Sequence, residues 1–202
     1  MDGYPAATVA VMPGFDDPVA GSQCVFRALL AAFAHPATLR EVPLCCDHPA
    51  VLEPAAAAVC LALLDYETPL WIDPCLETAG VREFLRFHCG CPLVTMPRAA
   101  RFALLDCAAG LRLLDEFDCG DIEYPERSTT LLIQCRGFAT ATATTFSGPG
   151  IRDRVQLAVN GIEFGFWQQW RKNRQLFPRG VDLIFIHGNR IAALPRTTQV
   201  ET

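Results

Sequence analysis

The chain is almost devoid of lysine. Lys172 is the only one, so sixteen of the seventeen basic residues are arginines. Schiff-base chemistry needs a lysine amine in a desolvated pocket. Lys172 lies instead in Trp170-Arg-Lys-Asn-Arg174, the polar end of an expected helix, which argues against that role. Arginine suits bidentate contacts to phosphate or carboxylate, and protein interfaces. Long apolar runs are missing too: the longest, Ala55 to Leu64, is far shorter than a bilayer span. Met1-Asp-Gly-Tyr-Pro5 carries no basic n-region followed by an apolar stretch, so no export signal is expected. The expectation is a cytoplasmic protein with no membrane contact.

Recognisable catalytic signatures are equally scarce. The chain has no Gly-x-Ser-x-Gly elbow, no His-Glu-x-x-His and no well-spaced carboxylate pair. Ser147-Gly-Pro-Gly-Ile151 follows an expected strand, and its backbone can approach a phosphate closely. It lacks the lysine and helix start of a P-loop, so a structural turn competes with an anion contact through Gly148 and Gly150. Ten cysteines are present without a single Cys-x-x-Cys. In a chain without an export signal they read as reduced thiols packed as small hydrophobes. Cys45-Cys46-Asp47-His48 and His88-Cys89-Gly-Cys91 could form a tetrahedral metal site only by meeting in space. Neither has structural-zinc spacing, so no metal or other cofactor is expected.

What is present is apolar. Hydrophobic residues make up 51% of the 202, enough for a large core or for surface that a partner covers. The net charge of −5 argues against nucleic acid as a partner. Asp16-Asp17-Pro18 starts a helix, and His35-Pro36 ends it. Val25, Phe26, Leu29, Leu30 and Phe33 give it one apolar stripe, with Arg27 opposite. Further helices are predicted over about 54–64, 78–88, 108–117 and 162–174. The third of these five puts Val81, Phe84, Leu85 and His88 on one face; the last directs Phe166, Trp167 and Trp170 inward.

Strands are predicted over 38–42, 68–72, 92–95, 100–105 and 130–135, and along the alternating run Ala139 to Phe146. Residues 152–159 are ambiguous between strand and loop, and 118–128 read as a surface loop. Asp182 opens Leu183-Ile-Phe-Ile186, an unbroken apolar run that looks covered on both faces. A Gly-Asn turn at His187-Gly-Asn-Arg190 leads into a last strand, and Leu194-Pro-Arg-Thr-Thr198 closes the chain as a loop. Strands and helices intermix without repeats or linkers. One α/β domain over 1–202 with a central mixed sheet follows, its first 14 residues an extended N-terminal segment.

The candidate ligand residues each carry two readings. Arg196, Thr197 and Thr198 follow the rigid Pro195 and offer a cation and hydroxyls to an anion, or form a solvated hairpin end. Arg86 and His88 pair a guanidinium with an imidazole near a helix end, or His88 is a hydrogen-bonded, half-buried histidine.

Taken in order, six motifs resemble the H subunit of the bacterial carbon–phosphorus lyase system, which degrades phosphonates. They are Phe26-Arg-Ala-Leu-Leu30 leading to His35-Pro36, Leu63-Leu-Asp-Tyr-Glu-Thr-Pro-Leu-Trp71, and Phe84-Leu-Arg-Phe-His88. Ser147-Gly-Pro-Gly-Ile151, Phe177-Pro-Arg-Gly-Val-Asp-Leu183 and Leu194-Pro-Arg-Thr-Thr198 complete the set. The resemblance runs from about Phe15 to Val200. One departure is Ala37, where the family commonly has glycine after the proline.

The resemblance implies a three-layer αβα fold like the large domain of pyridoxal-phosphate-dependent transferases, without that cofactor. It also implies a homodimer that joins the G, I and J subunits in a core complex. That complex displaces adenine from ATP with a phosphonate, giving a ribose 1-phosphonate 5-triphosphate. A later radical step on J breaks the carbon–phosphorus bond. None of the catalytic motifs of I or J is found in this chain. The first expectation is therefore an assembly-supporting subunit without its own catalytic centre. The alternatives are a nucleotide- or phosphonate-binding subunit and a small-molecule transferase with its own cleft.

Overall fold

The computed structural model describes residues 12–43 and 46–201, with the side chains of 140–142 left out. Residues 1–11 of the expected N-terminal segment, and Cys45, lie outside these. The first helix, α1, runs Pro18–Ala34. Asp17 caps it, accepting from the backbone N–H groups of Val19 and Ala20 at 3.0 Å each. His35 ends it, because the residue before a proline avoids the α region. Asp17→Ala should therefore cost about 1 kcal/mol, read as a lowered urea midpoint with an unchanged slope.

The expected stripe of α1 is only half right. Val25, Leu29 and Ala32 are buried, whereas Phe26 and Leu30 stand about half exposed, at 48% and 55%. The stripe that faces the sheet is rotated towards the small residue Ala32, because α1 packs closely on the next helix and on a strand. Gly21 allows the same closeness, since a Cβ there would lie 2.7 Å from the Phe15 ring. Helix α2, Pro54–Leu63, is buried from Ala55 to Cys60 on every side. Helix α3 is Ala79–His88, with Thr78 as its cap and Val81, Phe84 and Leu85 inward.

The main sheet has six strands: β1 Arg40–Glu41, β2 Leu70–Ile72, β3 Phe102–Asp106, β4 Thr130–Gln134, β7 Asp182–His187 and β8 Arg190–Leu194. Their order is β1-β8-β7-β4-β3-β2. The four strands from β7 to β2 are mutually parallel; β8 adds antiparallel to β7, and β1 antiparallel to β8, so the sheet is mixed. Leu104, Leu132, Ile184 and Ile186 point to the face covered by α1, α2 and α3. Ala103, Leu105, Leu131, Ile133, Leu183 and Phe185 point to the other face. Both faces being covered explains why Leu183–Ile186 shows no polar alternation.

The second covering layer differs from a helical one. It combines α4, Phe164–Gln175, with an antiparallel sheet of β6 Val155–Val159, β5 Phe138–Ser147 and β9 Gln199–Glu201, in the order β6-β5-β9. Phe166, Trp167 and Trp170 of α4 share a core with Phe146, Leu157 and Val200 of this sheet. The alternating run Ala139–Phe146 thus belongs to a side sheet, and its register with β6 shifts between Ala139 and Thr144. The chain does not close in a loop after Thr198, because β9 pairs with β5.

The helix expected over 108–117 is absent. Two short 3₁₀ turns stand there, Cys107–Ala109 and Leu114–Glu116. Gly110, at φ +84°, breaks the path between them, and the second turn drops Leu114 and Phe117 into the core. The strand expected over 38–42 shrinks to two residues, and that at 92–95 to one bridge between Leu93 and Leu70. No helix among the described residues is long and apolar enough to cross a membrane.

Candidate functional site

The C-terminal motif folds into a clasp around Arg196. Asp182 opens β7, and its Oδ1 accepts from the Arg196 backbone N–H at 2.6 Å and from Nε at 3.2 Å. Nη2 donates to Asp182 Oδ2, and at 2.6 Å to Ser128 Oγ. Nη1 donates to the carbonyls of Pro125 at 2.7 Å and Pro178 at 3.3 Å. A guanidinium has five N–H donors, and these five bonds use them all. Arg196 spends its guanidinium donors tying the stretches 125–128 and 178–182 to its own segment.

Thr197 and Thr198 belong to the same clasp. Arg174 Nε donates to the Thr197 carbonyl at 3.0 Å, and Trp170 Nε1 to the Thr198 carbonyl at 3.1 Å. Thr198 is fully buried, and its Oγ1 has no hydrogen-bond partner. Gly148 sits against this loop, where a Cβ would lie 3.1 Å from the Thr197 carbonyl. Gly150 packs on the end of α1, where a Cβ would come within 2.6 Å of the Ala34 carbonyl. Close backbone packing accounts for both glycines.

Arg86 and His88 lie elsewhere, on the helical face of the main sheet. His88 Nε2 is 2.7 Å from the Met12 carbonyl, to which it donates. Its ring also meets Phe84 and Phe87, with centroids 4.8 and 4.9 Å away. His88 thus fastens the segment before α1 onto α3. Arg86 lines a shallow surface cleft of about 490 Å³ with Arg82, Glu83 and Cys91. The structure brings Gly148, Arg196, Thr197 and Thr198 together, and keeps Arg86 and His88 apart from them.

Cys60, Cys91, Cys107 and Cys135 are buried in the core, whereas Cys24 and Cys75 are exposed. Desolvation, then the Asp73 carboxylate, pushes the Cys75 thiol up to about 11; burial pushes Cys135 up to about 11 against the lowering effect of its contact with the Gly137 carbonyl. Cys60, buried throughout, is pushed up further by the same cause. No group of three or more His, Cys, Asp or Glu side chains among the described residues is placed to hold a metal ion.

A different constellation stands at the carboxyl ends of the parallel strands, where open α/β sheets place their ligands. Gln134 ends β4; its Oε1 accepts from the Glu53 N–H at 2.6 Å, and its Nε2 donates to the Val51 carbonyl at 3.2 Å. Glu53, just before α2, receives the Gly188 N–H on Oε2 at 2.8 Å. Its Oε1 lies 3.7 Å from Nδ1 of His187, the last residue of β7. That Nδ1 donates to the Cys135 carbonyl at 3.1 Å. The imidazole is thereby fixed from behind, with Nε2 turned the other way. Beyond it lies Gly137, at φ +138°, where a Cβ would sit 3.4 Å from Asn160 Nδ2 and 3.8 Å from His187 Nε2. Sequence reading placed His187 only in a turn and passed over Glu53, Gln134 and Asn160. The one available signal was a histidine closing a fully buried strand.

Comparison with known proteins bears on nearly the whole chain. A family described as bacterial phosphonate metabolism protein (PhnH) matches residues 13–201. The chain is 35% identical over 187 residues to the alpha-D-ribose 1-methylphosphonate 5-triphosphate synthase subunit PhnH of Rhizobium meliloti, covering 93% of this chain and 94% of that one. It is also 35% identical over 179 residues to the putative C-P lyase subunit protein HtxG of Stutzerimonas stutzeri, covering 88% and 85%. A match of this extent takes in the clasp, the strand ends and both core layers: the chain belongs to the PhnH family of bacterial phosphonate metabolism proteins.

Proposed function

We propose that this chain is an assembly-supporting subunit of a carbon–phosphorus lyase complex that makes a ribose 1-phosphonate 5-triphosphate from ATP and a phosphonate. The observation that carries this reading is the near full-length likeness to two proteins whose names mark them as subunits of such systems. Val19, Phe26 and Leu30 of α1, exposed at 81%, 48% and 55%, are the kind of surface a partner covers. In this reading the chain pairs with a second copy and joins the G, I and J subunits, which carry the bond-breaking chemistry. Lys172 is exposed on the last turns of α4, which favours a transferase-like scaffold working without pyridoxal phosphate.

The test is co-expression with the three other subunits. This chain should co-purify with them, and leaving it out should abolish triphosphate formation by the remainder. Full activity of the other three without it would sink the reading.

A further inference from the structure

We propose that the His187 imidazole and the Asn160 amide, which meet beside Gly137 at the carboxyl ends of β4 and β7, bind a phosphonate or phosphate group. The location of the site rests on geometry alone; the choice of a phosphorus oxyanion also rests on the function proposed above.

His187 has one ring nitrogen committed and one free to serve. Nδ1 donates to the Cys135 carbonyl and faces Glu53, so the ring cannot turn without losing that bond. Nε2 lies near Gly137, and the side chain keeps 38% of its surface exposed. A neutral ring with its proton on Nδ1 offers a lone pair at Nε2, which accepts from a P–O–H. A charged ring offers an N–H, which donates to P–O⁻. A phosphorus oxyacid can meet either form, because it carries both kinds of oxygen at neutral pH.

Asn160 Nδ2 adds a neutral donor beside the same glycine. Gly137 is buried beside these two nitrogens, and a Cβ there would meet both at ordinary contact distance, so the backbone lies close to the pair. Arg190 is the register partner of His187 across β7 and β8, and its guanidinium carbon lies 5.7 Å from the ring centre of Phe138, next to Gly137. It makes no ion pair among the described residues, so its field adds to the attraction of an anion. Glu53 is on the Nδ1 side and is already hydrogen-bonded to Gly188, so it does not face the bound group.

The test follows the ring nitrogens of the full chain, labelled with ¹⁵N-histidine, during titration with methylphosphonate, inorganic phosphate and ATP. Of the four histidines, His187, assigned by its loss in His187→Gln, should show a saturable shift of Nε2. A response to ATP alone would place a nucleotide's phosphate at this pair; a response to methylphosphonate would place a phosphonate there. Asn160→Ala should weaken the response about tenfold, the worth of one hydrogen bond to a charged group. Asn160→Asp, which keeps the shape and adds a negative charge, should abolish it.

No shift with any of the three ligands, or equal shifts in the wild type and Asn160→Asp, overturns the proposal. Co-purification separates the two readings. Assembly without a His187 response defeats the anion site only, whereas a His187 response without assembly defeats the subunit role only.

Discussion

Arg196→Ala is expected to lower folding stability by about 3 kcal/mol, the lower end of what breaking one side of a buried ion pair costs. The loss arises from what remains. Asp182 keeps the backbone N–H of residue 196 but loses both contacts from the guanidinium, with only 18% of its side chain open to water. Ser128, itself buried, and the carbonyls of Pro125 and Pro178 lose their donors as well. In a chain of this length that corresponds to a fall of roughly 6–12 °C in Tm. Arg196→Lys should rescue little, because one ammonium cannot span acceptors on several sides. Urea denaturation of both variants is the measurement. A midpoint within about 0.5 kcal/mol of the wild type, with a lost phosphonate response, would instead make Arg196 a ligand contact and sink the clasp.

That prediction shows where sequence reasoning succeeded and where it stopped. Residues that act within a few positions were readable: Asp17 and Pro18 start α1, His35-Pro36 ends it, and Gly188 turns β7 into β8. Phe166, Trp167 and Trp170 fell at helical spacing and are indeed inward. The failures are tertiary. Periodicity gave α1 an apolar stripe but could not say that its neighbours would admit Ala32 and leave Phe26 and Leu30 outside.

The composition of 108–117 suited a helix. Gly110 and the need to bury Leu114 and Phe117 favoured two short turns. Arg196 was conspicuous beside Pro195, yet nothing local revealed that Asp182, Ser128, Pro125 and Pro178 would take all its donors. The strand-end cluster was less legible still, because Glu53 and Gln134 meet across 81 positions. Its members are ordinary polar residues until the parallel strands align their ends.

The other large effect is expected at Trp170, which is wholly buried on α4 between the main sheet and the side sheet. Trp170→Ala should cost about 3–5 kcal/mol, the usual range for deleting a large buried aromatic side chain. Part of that loss is packing and part is the Nε1–H donated to the Thr198 carbonyl, which holds the chain just before β9. Trp170→Phe separates the two: most of the volume stays, so the cost should fall to about 1–2 kcal/mol, near that of one unsatisfied buried acceptor. Hydrogen exchange then locates the damage.

Since β9 hydrogen-bonds only to β5 in its sheet and packs against α4, its amides should exchange faster in Trp170→Phe, while those of β4 and β7 keep their protection. Uniform loss of protection across both sheets would mean that β9 unfolds only with the whole domain. The six-residue stretch from Pro195 to Val200 would then be part of the core's cooperative unit, held by the Arg196 clasp more than by the tryptophan.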